Sequence, residues 1–186
     1  MKALCTLIKP VVAAASLACA TPALAQSPEA DVEALLQQLA DPDTQNWQQI
    51  ERQIRSAWSR SGSASIDLLF QRGEAALEQE DFDTALEHFT ALTDHAPDFA
   101  EGWNARATAL FQKDLYGPAL EDIEKALAIN PRHFGAMTGL AVILQSIGMK
   151  KESLDVWYMV RDLNPHRQEL QDAIKQLEAE VGGTSL

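Results

Sequence analysis

The chain has 186 residues, 27 acidic against 15 basic, and a formal net charge of −12. An acidic excess of this size argues against nucleic acid, which needs clustered Lys and Arg to displace counterions, and against anionic lipid surfaces. It suits a basic or neutral polypeptide partner, or serves only to keep the chain soluble.

Residues 1–25 read as an export signal. Lys2 and Lys9 give a positive start, Val11 to Ala20 is apolar, and Ala23-Leu24-Ala25 offers a small-x-small cleavage site. The apolar run is shorter than the roughly 20 residues needed to cross a bilayer, and no later segment approaches that length, so no integral membrane span is expected. Cys19, after Ser16-Leu17-Ala18, loosely resembles a lipoprotein box, but Leu stands one place late with Ser in front of it. Cleavage after Ala25 and a periplasmic or secreted fate is the better reading. Both cysteines, Cys5 and Cys19, fall in this segment. From Gln26 onward a disulfide, a thiolate zinc site and a cysteine nucleophile therefore drop out together.

Residues 26–63 read as a helical pair and linker. Ser27-Pro28 is a helix start, with Ser as N-cap and Pro at the first helical position. Val32, Leu35, Leu36 and Leu39 follow at helical spacing, and Asp41-Pro42-Asp43 breaks the pattern as a turn. Trp47, Ile50, Ile54 and Trp58 form a second stripe, with Arg52, Arg55 and Arg60 mainly off it, and Ser61-Gly62-Ser63 is a short polar linker.

From residue 66 the chain repeats. Pro97, Pro131 and Pro165 are evenly spaced and divide it into units 66–99, 100–133 and 134–167. Leu69, Trp103 and Met137 correspond as large residues; Gly73, Ala107 and Ala141 are small, and Ala76, Leu110 and Leu144 follow. Ala85, Ala119 and Ser153 are small again, Phe89, Ile123 and Trp157 large, and Leu92, Ala126 and Val160 precede the prolines. Small residues let two antiparallel helices approach while large ones fill the opposing holes. No strand-like alternation of comparable length occurs, so the chain is expected to be all-α. Residues 168–186 hold a one-sided helix on Leu170, Ala173, Ile174, Leu177 and Val181, ended by Gly182-Gly183. It suits a capping helix with a tail, because the end face of a stack is otherwise apolar. The N-terminal pair is expected to cap the opposite end by docking on the first unit, or else to bind a partner as an amphipathic helix.

This pattern resembles the tetratricopeptide repeat family, most closely in the middle unit through Trp103, Ala107, Leu110, Tyr116, Ala119, Ile123, Ala126 and Pro131. Ala76 departs from the bulky residue of the pattern, and Lys150 stands where Phe82 and Tyr116 stand in the other units. The resemblance implies a right-handed solenoid of helical hairpins that binds polypeptide in its concave groove. Carried over unit by unit, it places in the groove Asp67, Phe70, Glu74, Leu77 and Glu78; then Glu101, Asn104, Thr108, Phe111 and Gln112; then Gly135, Thr138, Val142, Gln145 and Ser146. One subgroup grips a C-terminal carboxylate with Lys, Arg and Asn. The corresponding places here hold Phe70, Glu74, Ala105, Gly135 and Gly139, which implies no such clamp.

Local features complete the reading. Asp98 and Glu101 have capping-box spacing, Asp81 can cap a helix, and Gly148 suits a tight turn. Arg72 and Arg106 share one position and are expected to pack their stems between helices and meet nearby carboxylates, or else to form a basic ladder that reads an acidic ligand. His88, His95, His133 and His166 lack the spacing of a metal site, and Glu78, Glu80, Asp81 and Asp83 lack that of a calcium loop. No phosphate loop, nucleophile elbow or Ser/His/Asp arrangement is present, so neither an enzyme nor a cofactor is expected. The reading is a non-catalytic adaptor of the cell envelope. The alternatives are a permanent structural subunit of an envelope assembly, or an exported enzyme whose site the sequence does not show.

Overall fold

In the computed structural model, residues 28–183 are described. The segment read as an export signal with Cys5 and Cys19, the expected Ser27 cap and the last three residues lie outside them. Within them the chain forms nine helices and no strand. These are α1 (Pro28–Ala40), α2 (Trp47–Trp58), α3 (Ala64–Glu78), α4 (Phe82–His95), α5 (Ala100–Gln112), α6 (Tyr116–Ile129), α7 (Phe134–Ser146), α8 (Lys150–Leu163) and α9 (Gln168–Gly183). The protein is all-α.

The starts of α4, α6 and α8 are separated by the same interval as the three prolines, and so are those of α5 and α7. Helices α3 and α4, α5 and α6, and α7 and α8 pack as hairpins, and each hairpin packs on the next through α4–α5 and α6–α7. Helix α3 also touches α5, and α5 touches α7, with no comparable contact among α4, α6 and α8. The stack therefore curves, with α3, α5 and α7 on its inner side.

Close approach explains the small positions. A Cβ on Gly73 would lie 2.4 Å from the Phe89 ring, so only glycine lets α4 place that ring against α3. The turns inside the hairpins share a second device. Glu80, Asp114 and Gly148, again one interval apart, adopt φ of 58°, 58° and 85°, the left-handed conformation that reverses the chain within a short turn. Asp81 accepts the Thr84 N–H at 3.2 Å and caps α4, which places the acidic run Glu78 to Asp83 on this turn. Lys150, at the position of Phe82 and Tyr116, pairs with Glu180 of α9 at 3.0 Å. Helix α9 runs through both Gly182 and Gly183 and buries Leu170, Ile174 and Leu177 against α8.

Two expectations are corrected. Asp98 and Glu101 make no capping box: α5 begins after Phe99, and the Glu101 carboxylate is drawn instead to His133 and Asn104. The N-terminal pair, moreover, does not cap the first unit. It lies along the edge formed by the turns between units and reaches the third one. Leu36, Leu39, Ile50 and Ile54 close over Phe134 and Leu163. Trp58 stacks on His133 with ring centres 4.7 Å apart and tilts on Phe134 at 4.9 Å, while Trp47 stacks on His166 at 5.6 Å. Polar bonds ring this contact. Asn164 donates to Glu51 at 3.0 Å, the His166 Nε2 lies 3.1 Å from the Leu39 carbonyl oxygen, and Arg132 pairs with Glu33. The physical reason is that the edge offers both an apolar seat and polar partners. The face of the first unit offers the exposed Leu68 and Arg72 instead.

Candidate functional site

Each unit contributes its first helix to the inner surface, so side chains at corresponding positions of α3, α5 and α7 stand side by side there. They border two adjoining clefts that share Gly135.

The first cleft, about 250 Å³, brings together Phe70 and Glu74 of α3, Glu101 and Asn104 of α5, and His133, Phe134 and Gly135 at the start of α7. Its remaining wall comes from Arg55, Ser56, Trp58 and Ser59. These belong to α2 and the residue after it, and the sequence reading did not place them in the groove. The Trp stripe and the arginine beside it were the available signal, but a stripe reveals only that a face is buried, not where.

The electrostatics of this cleft are fixed from below. The His133 Nδ1 accepts the Ala136 N–H at 3.1 Å, which caps α7 and leaves the ring proton on Nε2. That nitrogen donates to Glu101 at 2.8 Å, and Asn104 donates to the same carboxylate at 3.0 Å. Burial acts to raise the Glu101 carboxyl, but the His133 and Asn104 bonds and the nearby Arg55 outweigh it and hold it below the ordinary carboxylate range. Glu74 behaves oppositely. Its carboxyl loses hydration at the cleft and faces Glu101 and Glu78, so it sits above that range.

The second cleft, about 220 Å³, is apolar. Thr108 and Phe111 of α5 meet Thr138 and Val142 of α7 across it, with Ile123 and Ile143 behind. Gly135 and Gly139 leave one side of α7 without side chains, which opens the space. Thr108 and Thr138 bond their hydroxyls to the carbonyls of Asn104 and Phe134, at 3.0 and 2.8 Å, and so present their methyl groups.

The other expected groove residues fall elsewhere. Asp67 is engaged by the linker: its carboxylate accepts the Ser61 hydroxyl at 2.6 Å and the Ser61 N–H at 2.8 Å, and these bonds lower its pKa. Leu77 packs into the core between α3 and α4, and Phe70 reaches the cleft from the Phe89 and Phe99 cluster. Glu78 is exposed at the end of α3, and Gln112, Gln145 and Ser146 close the far ends of α5 and α7 without lining either cleft. Among the described residues no group of His, Cys, Asp and Glu could hold a metal ion, and no helix is long and apolar enough to cross a membrane.

A protein of Rhizobium etli called TPR repeat-containing protein is 36% identical over 160 residues, 84% of this chain and 78% of that one. The chain belongs to the TPR repeat family. No family model matches it. Among solved structures it is similar to the TPR domain of Sgt2 from Aspergillus fumigatus, with a TM-score of 0.61 and 17% identity over 66% of this chain and 82% of that one. The first TPR of Spaghetti (RPAP3), solved bound to the HSP90 peptide SRMEEVD, gives a TM-score of 0.61 and 20% identity over 63% and 93%. MamA AMB-1 gives 0.55 and 18% identity over 83% and 84%. At these identities the likeness is one of fold.

Within this TPR stack the two arginines at the shared position part company. Arg106 forms a two-pronged pair with Asp122 at 2.7 and 2.8 Å and donates to Thr93 at 3.0 Å. Its guanidinium also lies 4.8 Å from the centre of the Trp103 ring. It is structural. Arg72 is exposed on the outer face of α3 and has no such partner among the described residues.

Proposed function

We propose that this TPR protein is a non-catalytic adaptor of the cell envelope that binds an extended polypeptide along α3, α5 and α7. The reading rests on one observation: the inner surface joins an acidic cleft, at Glu74 and Glu101, to an apolar one, at Thr108, Phe111, Thr138 and Val142. A segment with a basic residue beside an aliphatic or aromatic one complements both. The net charge of −12 favours the same class of partner. An envelope location is supported by the export pattern of residues 1–25.

The peptide of the Spaghetti complex, SRMEEVD, is itself acidic. The clamp positions here hold Phe70, Glu74, Ala105, Gly135 and Gly139 and provide no cation for such a tail. The ligand is therefore of a different kind.

The test is a peptide array probed with the full chain and with two variants. Glu74→Lys together with Glu78→Lys is expected to abolish preference for basic peptides, and Val142→Lys to abolish preference for apolar ones. Thermal stability of the double charge variant should not fall below wild type, since both residues are exposed and loss of the Glu74 charge relieves its repulsion with Glu101 and Glu78. Unchanged peptide selection by both variants would refute the groove assignment.

A further inference from the structure

The interior faces of the stack show how one unit receives another. Gly102 and Ala136, which hold the same place in successive units, are both buried where the preceding hairpin packs. A Cβ on Gly102 would lie 2.1 Å from the Leu92 Cδ2, so α4 fills that place with its own leucine. Beside it, Arg106 is saturated by Asp122 of its own unit and by Thr93 of the preceding one.

On the first unit the same positions hold Leu68 and Arg72. Leu68 is 46% exposed. Among the described residues the Arg72 side chain makes neither a hydrogen bond nor an ion pair: His88 stands where Asp122 would be, and the place of Thr93 falls on Ser59, beyond α2, which packs elsewhere. Because α1 and α2 run along the turn edge, α3 packs on α4 and α5 and keeps its outer face uncovered among the described residues. An open cleft of about 910 Å³ borders it, lined among others by Arg60, Leu68, Leu69, Arg72, His95 and Asp98.

We infer that this outer face of α3 docks an amphipathic helix of a different protein, one whose apolar stripe is flanked by carboxylates. Arg60 and Arg72 outnumber the one lining carboxylate, Asp98, while Asp67, which Arg60 also faces, is held by Ser61; the rim is thus locally positive on a chain of net charge −12, which selects an acidic helix. The interior supplies the template. A partner carboxylate takes the role that Asp122 has for Arg106, and a small residue on the partner receives Leu68, with knob and hole exchanged relative to the Leu92–Gly102 contact. A second copy is disfavoured, since a two-fold pairing would set Arg60 and Arg72 close to their own counterparts.

The experiment is a display library of single helices selected on the full chain and counter-selected against the Leu68→Glu, Arg72→Glu double variant. Surviving helices are expected to carry Asp or Glu beside an Ala- and Leu-containing stripe. Calorimetry should show at least a tenfold loss of their affinity on Arg72→Glu alone, with Arg72→Gln intermediate and Glu74→Lys unchanged. Melting curves of the Leu68 and Arg72 variants should match wild type, because both substituted side chains are exposed. Failure of any helix to survive counter-selection, or survivors without flanking acids, would overturn the inference. So would a wild-type dimer in sedimentation that Leu68→Glu dissolves, which would make a second copy the occupant.

Discussion

The carboxylate of Glu51, near the start of α2, accepts a hydrogen bond from Asn164 at 3.0 Å across 113 residues of sequence. Both side chains are buried, and Arg55 at 2.8 Å and Arg167 at 3.8 Å flank the same carboxylate. Glu51→Ala would leave the Asn164 side-chain NH2 without its acceptor and Arg167 without its nearby charge. We expect a loss of about 1–3 kcal/mol in urea unfolding. Faster hydrogen exchange in α1 and α2, ahead of α5 and α6, would confirm that the loss is local to the pair.

Trp58 covers His133 and Phe134 with its indole while remaining only half-buried itself. Trp58→Ala should cost about 2 kcal/mol in the same assay, from lost apolar contact and ring stacking. It should also make the 59–63 linker more sensitive to protease. A variant as stable and as resistant as wild type would show that α2 is not held by this contact.

Substitution at the paired arginine positions should give opposite results. Asp122 is 3% exposed and its partner Arg106 17%, so Asp122→Ala leaves a part-buried guanidinium with only Thr93 and the Trp103 ring and should cost about 2–3 kcal/mol. Arg72→Ala, one unit before Arg106, should change stability by less than about 0.5 kcal/mol. Equal losses at the two sites would contradict the separation of roles.

Acid titration should separate Glu101 from Glu74. Glu101 has a folded pKa below its ordinary 4.5, so it contributes stability that is complete above that value and is lost as pH falls through the depressed one. Glu101→Gln should therefore lower the neutral-pH urea midpoint and flatten the acid limb. Glu74 has a raised folded pKa, so its ionisation opposes folding increasingly as pH rises above the ordinary 4.5 and fully once pH passes the raised value. Glu74→Gln should raise the midpoint near neutrality and leave it unchanged well below pH 4.5. Identical pH profiles for wild type and both variants would remove the basis for this cleft chemistry.

The hairpin turns provide a further contrast. Gly148→Ala forces a side chain into φ 85° and should cost about 1–2 kcal/mol, whereas Glu80→Gly relieves the same conformation at φ 58° and should be neutral or mildly stabilising. Thermal melts of the two variants decide this.

The stack itself was legible from the sequence because its packing repeats. Gly73 opposite Phe89, and the left-handed turn position shared by Glu80, Asp114 and Gly148, are local requirements that recur in every unit and leave a periodic trace. The apolar part of the groove was legible for the same reason. Thr108 and Val142 hold one position in successive units, and Phe111 and Thr138 stand a helical turn away from them. The resting place of α1 and α2 was not legible. It depends on pairings such as Glu51–Asn164 and Trp58–His133, which join residues that no period relates. Glu101 misled for a kindred reason. Its spacing from Asp98 suits a cap, but a buried imidazole 32 residues away competes for the carboxylate and wins.

The strut formed by α2 changes how this stack should come apart. An open array of hairpins couples each member only to its neighbours, so its ends can fray while the middle persists. Here a 12-residue helix, about 18 Å long, ties the turn after the third hairpin back to the segment that enters the first. The ends can loosen only by releasing this brace, so melting should be a single all-or-none event, and a chain without the brace should unzip in stages.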